Sequence, residues 1–512
     1  MTGTLNATTS HLLDLNSDVL VQIFEELRPG RQLRALSESC QYARSLTMPI
    51  LFRECTVDME EPITLQFLPT ALWPYVCSLL LLDRCFLRKA SQSKPDDPLL
   101  CGVLDAGVLR RSFPEMPRLN SITVSMSCGE LHELRGDVAA ALLSAPQVRD
   151  VHIGWFLFCP RQSFPHNSLH DISPLTSFQY TKNPYHLPPR AHPSELEAIA
   201  IVVRKLNASL EVLKLPSETT PLHDMSRLDW PRLGHLILHG DTPTQSPIPI
   251  IAVICRMPRL RILTLELTIL PGMSRQCIWP PHWTTGDPLP QIEELTVTHP
   301  HPQDLLYTHL PPSVRRMSLC CSPCYALQLW RPYDYSRWKS PLPSASELLR
   351  ILSGSSLPHL THLGIDYSPD SQEDQLLQHL VDSYPHLTSL ELHRMGDTPL
   401  AWPEDTPTMT SITRALSRLR HLDAVRLNLN MNNSGRPQYS DRKIFEWTSS
   451  RSLEIANMIA PKLGPSVTLL SLLWPGSTGA KWFEYRVSAV EGKPRVVSGM
   501  ATLKTVEYPA PS

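Results

Sequence analysis

The sequence predicts an α/β protein in which a short helical unit precedes an irregular solenoid of parallel strands. A short unit of the form Pro-x-h-x-x-h-x-h, where h is apolar, recurs through most of the chain, and helical patterns precede several copies. Residues 12–55 lack this unit and contain apolar helical patterns instead. Proline is abundant, at 50 of 512 residues, and glycine is scarce, at 20, which suits a chain broken at regular points by rigid corners.

The first element is a helix predicted within Leu12–Gly30. Asn16 or Ser17 caps its start, and a Pro-Gly pair ends it. Two shorter helical pieces follow and end before Met48-Pro49, closing a three-helix unit. A unit of about 40 residues buries little surface, so we expect it to be marginally stable until it docks on something. Its first helix has one apolar face, formed by Val19, Leu20, Ile23, Phe24 and Leu27.

The recurring unit joins a helix to a strand. Its final residues alternate between apolar and polar, as in a short strand with one apolar face, and its proline stops a preceding helix. Helical patterns precede the copies at Pro146, Ser209, Pro358 and Pro385, and Ser344 to Glu347 have capping-box spacing. Copies begin at Pro74, Pro117, Pro146, Pro231, Pro258, Pro290, Pro312, Pro358, Pro385 and Pro465, with proline-free relatives at Ser209 and Leu419.

Several intervals between these copies are 22 to 32 residues long, and the LxxLxL core is the signature of leucine-rich repeats. One repeat cannot offset the entropy of ordering its own backbone, so it needs stacked neighbours. We therefore expect an irregular leucine-rich-repeat α/β solenoid with a horseshoe-like sheet of parallel strands. Poorly patterned insertions, which predict loops, lie near 157–193, 271–288, 320–343, 395–407 and 430–447.

These patterns predict four segments along the chain. Residues 1–11 are expected to be disordered, and 12–55 form the helical unit. The solenoid covers 56–475, and 476–512 form a capping hairpin and tail. The hairpin prediction rests on alternating segments on either side of Glu491 to Pro494.

Composition excludes several classes of partner. The net charge of −2 gives no broad electrostatic reason to bind nucleic acid or an anionic membrane. The longest apolar run, Val76–Leu82, is far shorter than the roughly 20 residues of a membrane-spanning helix. The opening residues lack the pattern of a signal peptide, so we expect the 12 scattered cysteines to be reduced and the protein to be intracellular, cytoplasmic or nuclear.

The helical unit carries an ordered set of features: a Leu15-Asn16 start, an acidic Asp18, an Ile23-Phe24 pair, Leu27, a Leu33-x-x-Leu36 step and a closing Leu51-Phe52. This set resembles an F-box. Asn16, Ser39, Tyr42-Ala43 and Phe52 depart from the residues usual in that family.

The resemblance implies that the unit binds the adaptor subunit that links substrate receptors to a cullin scaffold in ubiquitin ligases. The chain is then a non-catalytic receptor, with the solenoid holding a protein target that the sequence does not identify. Two alternatives remain: a leucine-rich-repeat scaffold whose first helix caps the solenoid, and an enzyme whose site lies in the insertions. By family analogy, the adaptor-binding residues are Leu15, Asn16, Val19, Ile23, Phe24, Leu27, Leu36 and Cys40.

Motifs for catalysis or metal binding are weak in this sequence. It contains no phosphate-binding loop, nucleophile elbow or HExxH motif, and we predict no enzyme activity, cofactor or metal. A zinc site can be drawn from Cys320–Cys324 with His299 and His301, but a structural site needs two clear ligand pairs. The segment His166–Asp171 contains two histidines and a carboxylate, but no convincing helix there would present both rings on one face as metal ligands. The aromatic insertion Leu327–Pro343 suits either a binding surface or packing against the solenoid.

Overall fold

The chain divides into two compact units, Met1–Asn183 with Pro193–Ala198, and Ile199–Ser512 with Pro184–His192. The predicted disorder of 1–11, the segment His166–Asp171 and most of the aromatic insertion lie outside the described residues. A computed structural model describes residues 15–27, 31–84, 103–126, 132–158, 172–182, 193–243, 247–269, 273–284, 289–321, 341–396, 406–429, 441–475, 480–490, 493–497 and 504–505.

Three helices begin the first unit: α1 (Ser17–Glu26), α2 (Arg31–Ser39) and α3 (Gln41–Leu51). The sequence predicts an end before Met48-Pro49, but α3 continues through Pro49. Pro49 lies in the last turn of the helix, where a missing donor costs only one intrahelical bond, and the burial of the next residue holds this turn against the other helices. The helices share one apolar cluster, formed by Leu20, Phe24, Leu33 and Ile50.

Parallel strands follow in the first unit, paired in the order β1, β2, β3, β5 and β7. β7 falls inside the segment 157–193 that the sequence predicts as a loop. Its apolar residues are aromatic, Phe178 and Tyr180, and lie one residue closer to the preceding proline than in the other copies. The strands are β1 (Glu54–Met59), β2 (Ser78–Asp83), β3 (Ser121–Met126), β5 (Asp150–Gly154) and β7 (Ser177–Thr181), with a separate parallel pair of β4 (His132–Leu134) and β6 (Phe156–Phe158).

The second unit contains a longer ladder in which β8 to β16 pair in parallel and in chain order. This order is that of a repeat array of leucine-rich-repeat type, and the predicted parallel strands are confirmed. The horseshoe-like curvature stays a prediction. The strands are β8 (Val212–Pro216), β9 (His235–Asp241), β10 (Ile262–Thr268), β11 (Glu294–Val297), β12 (Arg316–Leu319), β13 (His362–Tyr367), β14 (Ser389–Arg394), β15 (Ala424–Asn428) and β16 (Leu469–Pro475).

The register of this ladder stacks the repeated apolar residues in rows. The proline of each unit precedes the strand by a constant spacing, so that Pro358 leads to His362 and Pro385 to Ser389. Constant spacing gives every strand the same phase, because a shift of one residue would turn its leucines to the other face. One buried row runs through Leu213, Leu236, Leu263, Leu295, Met317, Leu363, Leu390, Val425 and Leu470.

Helices and turns fill the connections between these strands. The capping box at Ser344 and Glu347 is confirmed, with both reciprocal hydrogen bonds present. One helix corrects the prediction of a loop over 430–447, because it begins at Asp441 and buries Ile455, Ala456 and Ile459. Outside α1–α3, the helices are Ile63–Gln66, Ala106–Ser112, Gly136–Leu143, Pro193–Leu206, Leu222–Met225, Ile251–Ile254, Ala345–Ser353, Glu373–Ser383, Thr406–Leu416 and Asp441–Ile459.

The last strands reverse the direction of the ladder. β17 (Ala480–Val490) pairs antiparallel with β16, and β18 (Lys493–Val496) pairs antiparallel with β17. A short β19 (Lys504–Thr505) also pairs with β17. The four segment boundaries given above stay predictions. Within the described part of the chain, no helix has the length and apolar character needed to cross a membrane.

Candidate functional site

The apolar residues of α1 point to two different environments. Asn16 caps the helix by accepting a hydrogen bond from the backbone of Asp18 at 3.0 Å. Phe24 is completely buried in the helical cluster, so its side chain offers no surface to a partner. Leu15 and Val19 are 41% and 43% exposed, which makes them the accessible apolar members of the predicted adaptor-binding set.

The other predicted contact residues are half-buried. Ile23, Leu27 and Leu36 pack against the edge of the cluster and leave part of each side chain accessible. Cys40 caps α3, since its sulfur accepts a hydrogen bond from the backbone of Ala43 at 3.4 Å. The structure therefore places the predicted residues within one helical unit but does not bring all of them to its surface.

A second surface lies on the face of the β8–β15 ladder opposite the leucine rows. We call it the polar face. Its side chains alternate with the leucines along each strand, as the pleat requires. A shallow cleft of about 290 Å³ runs along part of it. The polar face is defined by Lys214, His235, Glu266, Glu294, Arg316, Ser318, His362, Glu391, His393 and Arg426.

Charges of both signs alternate along the polar face. Arg316 lies 3.6 Å from Glu294, and Arg426 lies 3.4 Å from Glu391. Burial lowers the pKa of His362, and the Arg316 charge lowers it further. A neutral imidazole beside paired charges makes this face a mixed donor and acceptor surface rather than a uniform electrostatic patch.

The two ends of the polar face differ in their electrostatics. Burial lowers the pKa of His235, opposed by the Glu294 charge, while burial raises the pKa of Glu266. At the other end, burial alone would raise the pKa of Glu391, but its hydrogen bond from His393 and the Arg426 charge outweigh burial and lower it. The charged form is therefore disfavoured at Glu266 and favoured at Glu391.

An aromatic side chain closes the β14 end of the polar face. Trp482 from β17 meets the ring of His393 edge-on at 5.7 Å, and the guanidinium of Arg426 lies 5.8 Å from the Trp482 ring centre. His393 is consequently buried although it lies on the polar side of its strand. Burial lowers the pKa of His393, but the Asp366 charge and the Glu391 hydrogen bond outweigh it and raise the pKa.

A separate cleft of about 610 Å³ lies beside the ends of β10 and β11, where Leu267 and Val297 line it. Here the sulfur of Cys277 lies 3.2 Å from Nδ1 of His301, a pairing that resembles a nucleophile with its base. Burial raises the pKa of the Cys277 thiol to about 11, and the Asp304 charge adds to this shift. The sulfur is therefore a neutral thiol at physiological pH, whereas a nucleophilic cysteine needs a depressed pKa.

The zinc site drawn from the sequence does not assemble among the described residues. Cys321 accepts a hydrogen bond from the backbone of His299 at 3.2 Å, while His301 lies beside Cys277. Cys320 lies instead near Asp366 and His393, all three buried. Cys324 is outside the described residues. Sequence reasoning missed this cluster, although each member follows the third apolar residue of its repeated unit, a signal that aligning the repeats would have shown.

Comparisons with known proteins leave the family open. No family model matches the chain, and no curated protein matches it. The chain is similar to TLR13 in a crystal structure of the TLR13–ssRNA13 complex, with 13% identity and a TM-score of 0.23. The similarity covers 71% of this chain and only 56% of that one. A TM-score this low carries no argument, so the repeat assignment rests on the ladder itself.

Proposed function

We propose that this protein is a non-catalytic substrate-recognition subunit of a cullin-RING ubiquitin ligase. The three helices bind the adaptor subunit, and the polar face of the repeat array binds the protein target. The observation that carries the proposal is the division of α1 between a closed core and an exposed apolar stripe. Leu20 and Phe24 have no exposed surface, whereas Leu15, two residues before the helix, and Val19, in its first turn, are 41% and 43% exposed.

The closed core supports a partner-binding role for the exposed stripe. The cluster of Leu20, Phe24, Leu33 and Ile50 is complete without Leu15 and Val19, so the exposed side chains are not needed to hold the helices together. Exposed apolar side chains at the start of an amphipathic helix are suited to docking into a groove on another protein. Because the order of residues resembles an F-box, we propose that this other protein is the adaptor subunit.

The polar face of β8–β15 supports the target-binding role. Its charges are paired with neighbours of opposite sign, as at Arg316 with Glu294, so it suits a protein surface of mixed charge better than a polyanion. Ubiquitin transfer then depends on proximity: the receptor raises the effective concentration of target lysines near the ubiquitin-carrying enzyme, and no residue of this chain takes part in the chemistry.

A second function, a repeat scaffold without a link to ubiquitination, is favoured by one contact. Arg53, just before β1, forms an ion pair with Glu25 of α1 at 2.9 Å, which ties the helices to the first strand. Helices fixed in this way would cap the apolar end of the first repeats, a need that every open repeat array has. The exposed stripe has no role in a cap.

Calorimetry with the purified adaptor subunit and the full chain separates these two functions. We expect Leu15→Asp and Val19→Asp each to weaken adaptor binding by about tenfold or more while leaving the melting temperature unchanged. Leu65→Asp is the matched control, because Leu65 is 72% exposed and lies outside the three helices. A folded wild-type chain that does not bind the adaptor would leave the scaffold function.

A further inference from the structure

We propose that Cys320, Asp366 and His393 form a binding site for a single divalent transition-metal ion, with Zn²⁺ the preferred occupant. The sulfur, one carboxylate oxygen and one ring nitrogen lie within 4.8 Å of one another, and all three residues are buried. Cysteine sulfur, histidine nitrogen and aspartate oxygen are the three donor types that zinc takes in proteins.

The ladder brings these ligands together. Asp366 of β13 and His393 of β14 are direct partners in the parallel register. Leu319 at the end of β12 is opposite Ile365, so the next residue along, Cys320, comes level with Asp366. The three side chains therefore form one row across three neighbouring strands, on the polar side of the sheet.

An unsatisfied carboxylate oxygen points to an absent ligand. Oδ2 of Asp366 accepts a hydrogen bond from the backbone of Cys321 at 2.7 Å, and the Cys320 thiol within the cluster also hydrogen-bonds to this carboxylate. Oδ1 is buried and has no hydrogen-bond partner outside the cluster among the described residues. Nδ1 of His393 is 3.8 Å from this oxygen, too far for a hydrogen bond. A tetrahedral zinc ion bound to both atoms requires a separation of about 3.4 Å, so the side chains need to close by only about 0.4 Å.

The orientation of His393 also fits a metal ligand. Its Nε2 lies 2.9 Å from a carboxylate oxygen of Glu391. A carboxylate accepts and does not donate, so in the neutral imidazole that a metal ion requires, Nε2 carries the proton and Nδ1 offers its lone pair on the side of Asp366 and Cys320. A carboxylate that holds the far nitrogen of a metal-binding histidine is a recurrent feature of zinc sites.

The surroundings of the three residues also offer a fourth ligand for the metal ion and balance its charge. The side-chain amide of Asn428 lies 3.3 Å from Nδ1 of His393, and turning this amide over presents its oxygen to the same point. A thiolate at Cys320 and the carboxylate of Asp366 together neutralise a divalent ion. A neutral site avoids the cost of an uncompensated charge in the protein interior.

Cobalt titration of the full, chelator-treated chain tests this site. Co²⁺ bound to a thiolate gives a sulfur-to-metal charge-transfer band. Adding Zn²⁺ displaces the cobalt ion and removes the band. The chain has 12 cysteines and 20 histidines, so the informative quantity is a difference between variants. We expect Cys320→Ser to lose one equivalent of cobalt and the corresponding share of the band. Asp366→Asn should keep the band but weaken binding by at least about tenfold.

Cys321→Ser is the matched control, because this neighbouring cysteine is also buried but its sulfur contacts the backbone of His299 instead of the cluster. It should retain the wild-type stoichiometry. Thermal melts of each metal-free variant identify any that fail to fold, and His393→Gln then replaces the failed variant in the titration. Equal cobalt stoichiometry in the wild type, Cys320→Ser and His393→Gln would overturn the proposal.

Discussion

Asp366 and His393 lie directly opposite each other on neighbouring parallel strands, although they are far apart in a sequence that gives no sign of their pairing. Each follows the third apolar residue of its repeated unit, and the constant register of the ladder brings equivalent positions into one row. Side chains at a given repeat position therefore act as a group. The constant register therefore determines which polar side chains come together across neighbouring strands.

The core position of Phe24 predicts a large loss of stability on truncation. Phe24→Ala removes a fully buried ring from the helical cluster and should destabilise that unit by about 3–5 kcal/mol, because the cavity cannot close completely. Urea denaturation followed by circular dichroism measures the loss. Val19→Ala is the control, with an expected change within about 0.5 kcal/mol. Equal effects of the two substitutions would show that the cluster is not the core of the unit.

The capping box predicts a smaller loss in the second unit. The Ser344 hydroxyl accepts a hydrogen bond from the backbone N–H of Glu347, and the backbone N–H of Ser344 donates one to the Glu347 carboxylate. Ser344→Ala should cost about 1 kcal/mol, since the backbone N–H of Glu347 loses its acceptor at the start of the helix. Thermal unfolding of the full chain measures this cost. Ser353→Ala, at the other end of the same helix, should leave the midpoint nearly unchanged.

Gly364 lies close to the side chain of Cys320, so a larger residue at this position should clash with it. A Cβ atom at this position would lie 2.9 Å from the sulfur of Cys320 and 3.3 Å from the hydroxyl of Ser318. Gly364→Ala should therefore destabilise the chain by about 1–3 kcal/mol through overpacking. Gly234→Ala is the matched control, because the nearest atom there is 3.8 Å away, and this change should be neutral or stabilising. Denaturant midpoints compare the two variants.

Two neighbouring groups predict opposing pH dependences. Burial lowers the pKa of His299 to about 4, and the Arg275 charge adds to the shift. The unfolded chain takes up a proton near pH 6.5 while the folded chain does not, so stability falls as pH drops from about 6.5 to 4. Burial raises the pKa of Asp304 to about 6, against three backbone hydrogen bonds. The folded chain then binds the proton first, so stability rises as pH drops from about 6 to 4.

Single variants should reveal each contribution, which is of the order of 3 kcal/mol at most. His299→Asn tolerates the positive backbone dihedral of 52° at this position and cannot be protonated. This variant should be more stable at pH 5 than at pH 7, because only the contribution of Asp304 remains. Asp304→Asn should be less stable at pH 5 than at pH 7, because only the contribution of His299 remains. Chemical denaturation at both pH values measures the difference, and two variants that both keep the wild-type profile would contradict the linkage.

The local elements of this protein follow closely from its sequence. The capping box at Ser344 and the strand after Pro358 are both where the pattern predicts them, because capping and strand alternation depend on residues within a few positions of one another. β7 was missed because its core is aromatic and its proline is displaced by one residue. The helix from Asp441 was missed because the buried apolar residues that mark it, Ile455, Ala456 and Ile459, all lie in its second half, beyond the predicted loop.

The sequence alone determined the phase of each repeat and the ordered residues of α1. Only the tertiary structure separated Phe24 in the core from Val19 at the surface, since both lie on the same predicted apolar stripe and the packing of α2 and α3 covers just one of them. It also gathered Cys320, Asp366 and His393, which lie on separate repeats. Burial and long-range register arise from contacts between distant segments, and a pattern confined to neighbouring residues cannot contain them.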